Sequence, residues 1–208
     1  PATIRLRELI ASQLGVPRLL FCHQRSVADP SAKQVLNCKT SHSACRNLLE
    51  QIDWCRYVAD REPTAVTGVI HQSNEGPGAE DYEMLSLDFS PRGNPGSGPL
   101  AQISCGQYVP SDWQEASGYR PLAALEVSCE RGIAFVDPPA TLVWFDEAGR
   151  HQESLDSDRS VGEQLLMHFF RSVTSLVRRT CDLEDAYRAI CVVQAARRSH
   201  EEGRRIEL

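Results

Sequence analysis

The sequence contains no apolar run approaching the roughly 20 residues that a bilayer-spanning helix requires. Its first residues, Pro1-Ala2-Thr3, show neither an initiator Met nor the basic and apolar regions of a signal peptide. Positive charge is also scarce. A formal net charge of -6 and a pI near 5.5 leave no surplus for the clustered cations that phosphate backbones or anionic lipids need. The expectation is therefore a cytoplasmic protein with no nucleic-acid and no membrane partner. No C-x-x-C pair occurs among the eight cysteines at 22, 38, 45, 55, 105, 129, 181 and 191. Most lie in apolar segments, so buried free thiols are expected rather than a disulfide framework. His42 and Cys45 are close in sequence, but no second pair completes a four-ligand zinc site, and no metal is expected. No Ser stands in G-x-S-x-G, which leaves a hydrolase reading without an anchor. Gly93, Gly96 and Gly98 do not lie between a strand and a helix of a βαβ unit, so no phosphate loop is expected there.

What is present is a run of strand patterns, centred on residues 122–149. Residues 125–129 and 141–145 alternate apolar and mixed side chains with period two, and 133–136 forms a short strand between them. Arg131-Gly132 and Asp137-Pro138-Pro139 supply the breaks, and 146–149 ends the run with a turn. Further strands are expected at 18–23, 65–71, 82–89 and 100–108, the last two as a hairpin across the Gly/Pro-rich stretch 91–99. In 82–89, Glu83, Leu85, Leu87 and Phe89 share one side.

Helical periodicity marks four segments. Residues 3–14 place Leu6, Leu9, Ile10 and Leu14 on one face, stopped by Gly15 and Pro17. Residues 41–59 carry a buried stripe of Cys45, Leu48, Leu49, Ile52, Cys55 and Ala59. Opposite it stand Arg46, Glu50, Asp53 and Tyr57, which either line a polar cleft or form a solvated face with an Arg46–Glu50 ion pair. After the strands, Ser160 and Glu163 match a capping box, and Leu166, Phe169, Phe170, Val173 and Val177 define the buried stripe of the helix that follows. His168 in that helix reads as a packed or rim histidine. A last helix from Asp182 to about Gly203 turns Leu183, Tyr187, Ile190 and Val193 inward, and a terminal strand holds Ile206 and Leu208. The loop 109–121 carries Trp113 and Tyr119, either as a lid or contact surface or with both rings folded back onto the sheet. The fold class is α+β: a mostly antiparallel open sheet with helices on one face.

The stretches 52–57 with 61–68, 125–133, 164–173 and 183–208, above all 195–199 and 202–208, together resemble the C-terminal half of the glucose-fructose oxidoreductase, inositol dehydrogenase and rhizopine-catabolism (Gfo/Idh/MocA) family. The resemblance implies a glyceraldehyde-3-phosphate dehydrogenase-like, or dihydrodipicolinate reductase-like, C-terminal domain. Residues 1–15 would be a linker helix following a missing Rossmann domain, and 16–208 the substrate-binding and oligomerisation domain. The abrupt start fits this expectation of a fragment. NAD or NADP would belong to the full-length parent and none to this fragment, which has no G-x-G-x-x-G after a strand. Its only lysines are Lys33 and Lys39, so the lysine of the family's E-K-P segment would belong to the missing half.

The family's helical signature, three glycines followed by D-x-x-x-H-x-x-D, supplies a histidine acid/base for the substrate hydroxyl. Aligned through Asp53, this chain keeps the last Asp but has Glu50 at the histidine, Arg46 at the first Asp, and Thr40, Ser41 and His42 at the glycines. Glu50 and Asp53 are thus the implied catalytic candidates, with His42 as a substitute base, and Arg46, Tyr57 and Trp113 are candidate substrate contacts. The expected activity is that of an NAD(P)-dependent oxidoreductase for a sugar, polyol or related hydroxy compound, inactive as this fragment. The expected partners are the Rossmann half, the substrate and further copies in a homodimer or tetramer. The alternative is a non-catalytic binding or assembly module.

Overall fold

A computed structural model describes residues 1–27, 42–72, 80–113, 115–119, 122–138, 140–155, 161–174 and 183–208. The chain opens with helix α1 (Ala2–Leu9), which runs into a π-helical turn (Ile10–Leu14). Gly15, at φ 78°, ends it in the left-handed region, as the Gly-Val-Pro sequence leads one to expect. Strand β1 (Pro17–Val27) follows and extends four residues beyond the expected 18–23. Helix α2 (His42–Ala59) ends at Asp60, whose φ of 56° an aspartate tolerates better than most residues.

Strands β2 (Ala65–Gln72), β3 (Glu80–Asp88) and β4 (Leu100–Val109) come next, with β3 and β4 paired as the expected antiparallel hairpin. After a 3-10 turn (Ser111–Trp113) and one turn of helix (Glu115–Gly118), β5 (Leu125–Cys129), β6 (Gly132–Asp137), β7 (Thr141–Asp146) and β8 (Gly149–Ser154) form a meander. Strand β8 was not expected, because Arg150-His151-Gln152-Glu153 has no apolar alternation and its face is set only by pairing to β7. Helices α3 (Val161–Thr174) and α4 (Leu183–Glu202) and the short strand β9 (Ile206–Glu207) complete the chain.

All nine strands join one sheet in the order β8-β7-β6-β5-β1-β4-β3-β2-β9. The single parallel contact is β1 with β4, at the centre, and β1 runs antiparallel to β5 on its other side. The sheet is therefore mostly antiparallel, and helices α1, α2 and α4 pack on one face of it. Leu20 and Cys22 of β1, Leu85 and Leu87 of β3, Ile103 of β4 and Leu125 and Val127 of β5 are buried together with Leu6, Leu48, Ile52, Cys55 and Val193 of the helices. In β3, Glu83, Leu85 and Leu87 point inward as their period-two spacing demands. On the other face Leu19, Phe21, Val69 and Phe145 are exposed.

Two contacts fix the helical layer. A Cβ on Gly68 of β2 would lie 2.3 Å from the Ala196 carbonyl oxygen, so this glycine lets α4 settle directly on the strand. The Gly68 N–H then donates to Ser199 Oγ at 3.1 Å. Between α2 and β1, the Cys22 and Cys55 sulfurs touch at 3.5 Å as thiols, and Cys105 and Cys129 are also buried and in no disulfide. Cys38, Cys45 and Cys181 lie among residues or side chains outside the description.

The last two helices correct the sequence reading. The α3 stripe of Leu166, Phe169, Phe170 and Val173 does not pack inward; Phe169 is 68% exposed. Amphipathic spacing shows only that a helix has an apolar face, not that this chain covers it. Ser160 and Val177 lie outside the described residues, as does the side chain of His168. In α4 only Val193 of the expected inward set is buried, while Leu183 is 88% exposed and Tyr187 and Ile190 are also exposed. The packed side is Ala189, Val192, Val193, Ala196 and Ser199, small residues chosen by the close approach at Gly68. Gly203, at φ 64°, ends α4 where expected.

Candidate active site

Helix α2 lies over β1, and the two elements frame a cleft of about 500 Å³. Asn47, Glu50, Gln51 and Trp54 of α2 face it, on a side of the helix rotated by about one residue from the Arg46-Glu50-Asp53-Tyr57 stripe. Trp54 forms a fixed wall because its indole N–H donates to Thr3 Oγ1 at 2.9 Å. Gln51 sits where the polar side of α2 meets the apolar stripe and is only 7% exposed. Its Nε2 donates to Gln24 Oε1 of β1 at 3.1 Å, while its own Oε1 is buried with no hydrogen-bond partner among the described residues.

Strand alternation places Cys22 and Gln24 toward α2 and turns His23 toward the opposite face. There His23 Nδ1 pairs with Ser104 Oγ at 2.7 Å, although the residue still borders the cleft. Burial, seconded by the Arg25 charge, holds the His23 imidazole below its usual pKa.

The structure divides the sequence-derived candidates. Glu50 lines the cleft. Asp53 does not; its Oδ1 accepts from Arg56 Nη1 at 3.0 Å. Arg56, with a side chain only 5% exposed, also donates to Glu62 at 2.7 Å through both Nε and Nη2, and to Asp185 Oδ1 at 3.1 Å. This cluster ties α2, the turn after it and the start of α4 together. Partial burial raises the Asp53 pKa more than Arg56 lowers it, and the neighbouring carboxylates of Asp185 and Glu62 add to the rise. Glu62 is held low, first by its hydrogen bonds to Arg56.

Tyr57 lies under the Arg7 guanidinium, 4.8 Å from ring centroid to carbon, and so belongs to the α1–α2 contact. Trp113 is 67% exposed and does not border the cleft, and Tyr119 is exposed as well, so neither ring folds back onto the sheet. The side chains of His42 and Arg46 lie outside the description. Sequence reasoning missed Thr3, Gln24, Asn47, Gln51 and Trp54. The one available signal was Gln51 itself, a polar residue beside the buried stripe of Leu48, Ile52 and Cys55.

No family model and no curated protein matches the chain. Solved structures do. An aldose-aldose oxidoreductase from Caulobacter crescentus, complexed with glycerol, is 18% identical with a TM-score of 0.79, covering 99% of this chain and 60% of its own. An oxidoreductase from Agrobacterium radiobacter, in complex with NAD+, L-tartaric acid and magnesium, is 14% identical with a TM-score of 0.71, covering 99% of this chain and 61% of its own. A candidate myo-inositol dehydrogenase from Sinorhizobium meliloti is 16% identical with a TM-score of 0.65, covering 100% of this chain and 62% of its own.

The chain thus has the α+β fold of the Gfo/Idh/MocA-like oxidoreductases, as the sequence resemblance implied. It spans about 60% of the length of these structures. The Gly-rich β3–β4 hairpin offers no phosphate-binding loop. Gly93 and Gly96 turn the β3–β4 hairpin, and the N–H groups of Gly96 and Gly98 are already spent on Asp88 Oδ2 at 3.2 Å and Ser90 Oγ at 2.9 Å. Among the described residues no helix is long and apolar enough to cross a membrane.

Proposed function

We propose that this chain is the substrate-binding and oligomerisation part of an NAD(P)-dependent oxidoreductase that acts on a sugar, polyol or related hydroxy compound. The observation that carries the reading is the cleft between α2 and β1, with Glu50 on its wall at the position that the resemblance aligns with the family's acid/base histidine. Glu50 accepts the proton of the substrate hydroxyl. Thr3 and Trp54 form a wall that orients the carbon skeleton. The cofactor is held outside this chain, and the redox step belongs to it. The exposed apolar face of the sheet, with Leu19, Phe21, Val69 and Phe145, supports contact with further copies.

Asp53 favours a second reading, because its carboxylate is committed to Arg56 rather than to the cleft. A non-catalytic binding or assembly module would keep such a cluster and need no base. Steady-state assay of the full-length protein against a panel of polyols and aldoses with NAD+ and NADP+ separates the two. Turnover that falls about 100-fold in Glu50→Gln, with cofactor affinity retained, is the expected result. Cofactor binding without turnover of any hydroxy compound favours the module, and turnover indifferent to Glu50→Gln removes Glu50 from the chemistry.

A further inference from the structure

We infer that the free face of the sheet pairs with the same face of a second copy through two reciprocal ion pairs, Glu126 of each copy with Arg25 of the other. The inference rests on the proposed reading of that face as the contact between copies, and it names the residues that set how the two faces align.

Leu125, Val127 and Cys129 of β5 are buried in the core, so strand alternation turns Glu126 to the free face. There it stands in register between Phe21 of β1 and Phe135 of β6, with no hydrogen-bond or ion-pair partner among the described residues. Arg25 follows His23 by two residues on β1 and shares its face. Its Nε is buried without a hydrogen-bond partner, and no carboxylate among the described residues pairs with the guanidinium. Arg150 and Asp137, also on this face, are already engaged, with Gln152 and the Ala124 N–H. One carboxylate and one guanidinium are thus left unmatched on adjacent strands. Arg25 lies four residues along β1 from Phe21, about 13 Å at ~3.3 Å per residue, and the two charges do not meet within one copy. A twofold axis lying in the interface and crossing the strands midway between them brings each onto its counterpart in the other copy, and closes the contact as a dimer. An axis passing at Glu126 itself would set two carboxylates against each other. The same axis carries the Arg25 end of β1 over Leu19 and Phe21 of the other copy. At that end Val27 pairs with Val109, where the loop bearing the exposed Trp113 and Tyr119 begins. A nine-stranded sheet, at ~4.8 Å between strands and roughly 20 Å along them, offers a face of about 800 Å², the area that a stable interface buries on each partner.

The test mixes charge-reversed variants of the full-length protein and reads self-association by sedimentation equilibrium. Glu126→Arg and Arg25→Glu are each expected to weaken the dimer about tenfold or more, because each sets like charges together at both contacts. Mixed in equal amounts, the two variants re-form both ion pairs in a heterodimer, which is expected to associate within about threefold of the unaltered protein. Damage to the fold would not be repaired by mixing. Should either reversal fail to fold, Glu126→Gln and Arg25→Gln replace them, and the two changes together should weaken the dimer no more than either alone. Self-association indifferent to both reversals, or a mixture that associates no better than its components, overturns the inference. The two readings fail separately. If Phe21→Glu yields monomers while the mixture gains nothing, only the ion pairing falls; if no dimer forms, or the dimer is indifferent to Phe21→Glu as well, the sheet face is not the contact.

Discussion

Glu50 and Asp53 are three residues apart on one helix, yet they meet different surroundings: Glu50 looks into the cleft and Asp53 is gripped by a nearly buried guanidinium. Replacing each should therefore be felt in different measurements. Asp53→Asn removes one exposed partner of Arg56 and is expected to cost less than about 1 kcal/mol in urea unfolding. A loss of kcat larger than that change explains would return Asp53 to the chemistry. His23 offers a pH test. Its folded pKa lies below the unfolded value, so the neutral ring contributes stability that is present above the unfolded pKa. That contribution is lost as pH falls through the folded pKa. Melting temperature should drop on acidification below about pH 6.5, and His23→Gln should flatten this part of the profile. Depressed carboxylates such as Glu62 act in the same direction but at lower pH, so the two contributions separate.

Single elements show what a sequence can disclose. Helix α2 was readable in extent and in its Leu48-Ile52-Cys55 stripe, because burial imposes period 3.6 on apolar residues. The cleft face was not readable. Asn47, Gln51 and Trp54 are distinguished from the adjacent solvated side only by what lies opposite them, and Thr3 and Gln24 are not their neighbours in sequence. The same reason explains α4, in which Leu183 and Ile190 are exposed while Ala196 and Ser199 are buried. Contact distance, set by Gly68, outweighs hydrophobicity there. Gly68→Ala should force α4 off β2 and lower stability by about 1–3 kcal/mol, measurable by chemical denaturation. Arg197, which donates to the buried Glu83 at 2.8 Å and to Glu80, leaves these two neighbouring carboxyls without their shared cation when changed to Met. Burial already raises the Glu83 pKa, and Arg197→Met should cost about 3 kcal/mol and raise it further, seen by NMR titration of the Glu83 carboxyl.

For the whole molecule, the order of strands follows from short antiparallel connections except at the centre and at the β2–β9 edge. At the centre the chain leaves β1, passes through α2, β2 and β3, and returns as β4 parallel to β1. The turns were legible from Gly, Pro and Asp residues, but the central parallel pairing was not, since nothing local encodes it. The exposed sheet face bears on assembly: if copies associate through it, Phe21→Glu should shift the light-scattering mass toward the monomer without changing the far-ultraviolet dichroism.

The outer borders of the sheet are guarded unequally. Strand β8 ends one side with Arg150, His151, Gln152 and Glu153, a polar fringe that discourages another strand from adding. On the other side Ile206 and Glu207 pair with Val66 and Ala65 of β2, and Ser199 and His200 of α4 accept from the Gly68 and Ile70 N–H groups. Clipping the chain after Gly203 would strip the two β9 pairs and bare the start of β2 at Ala65 and Val66 as a template for end-to-end polymerisation.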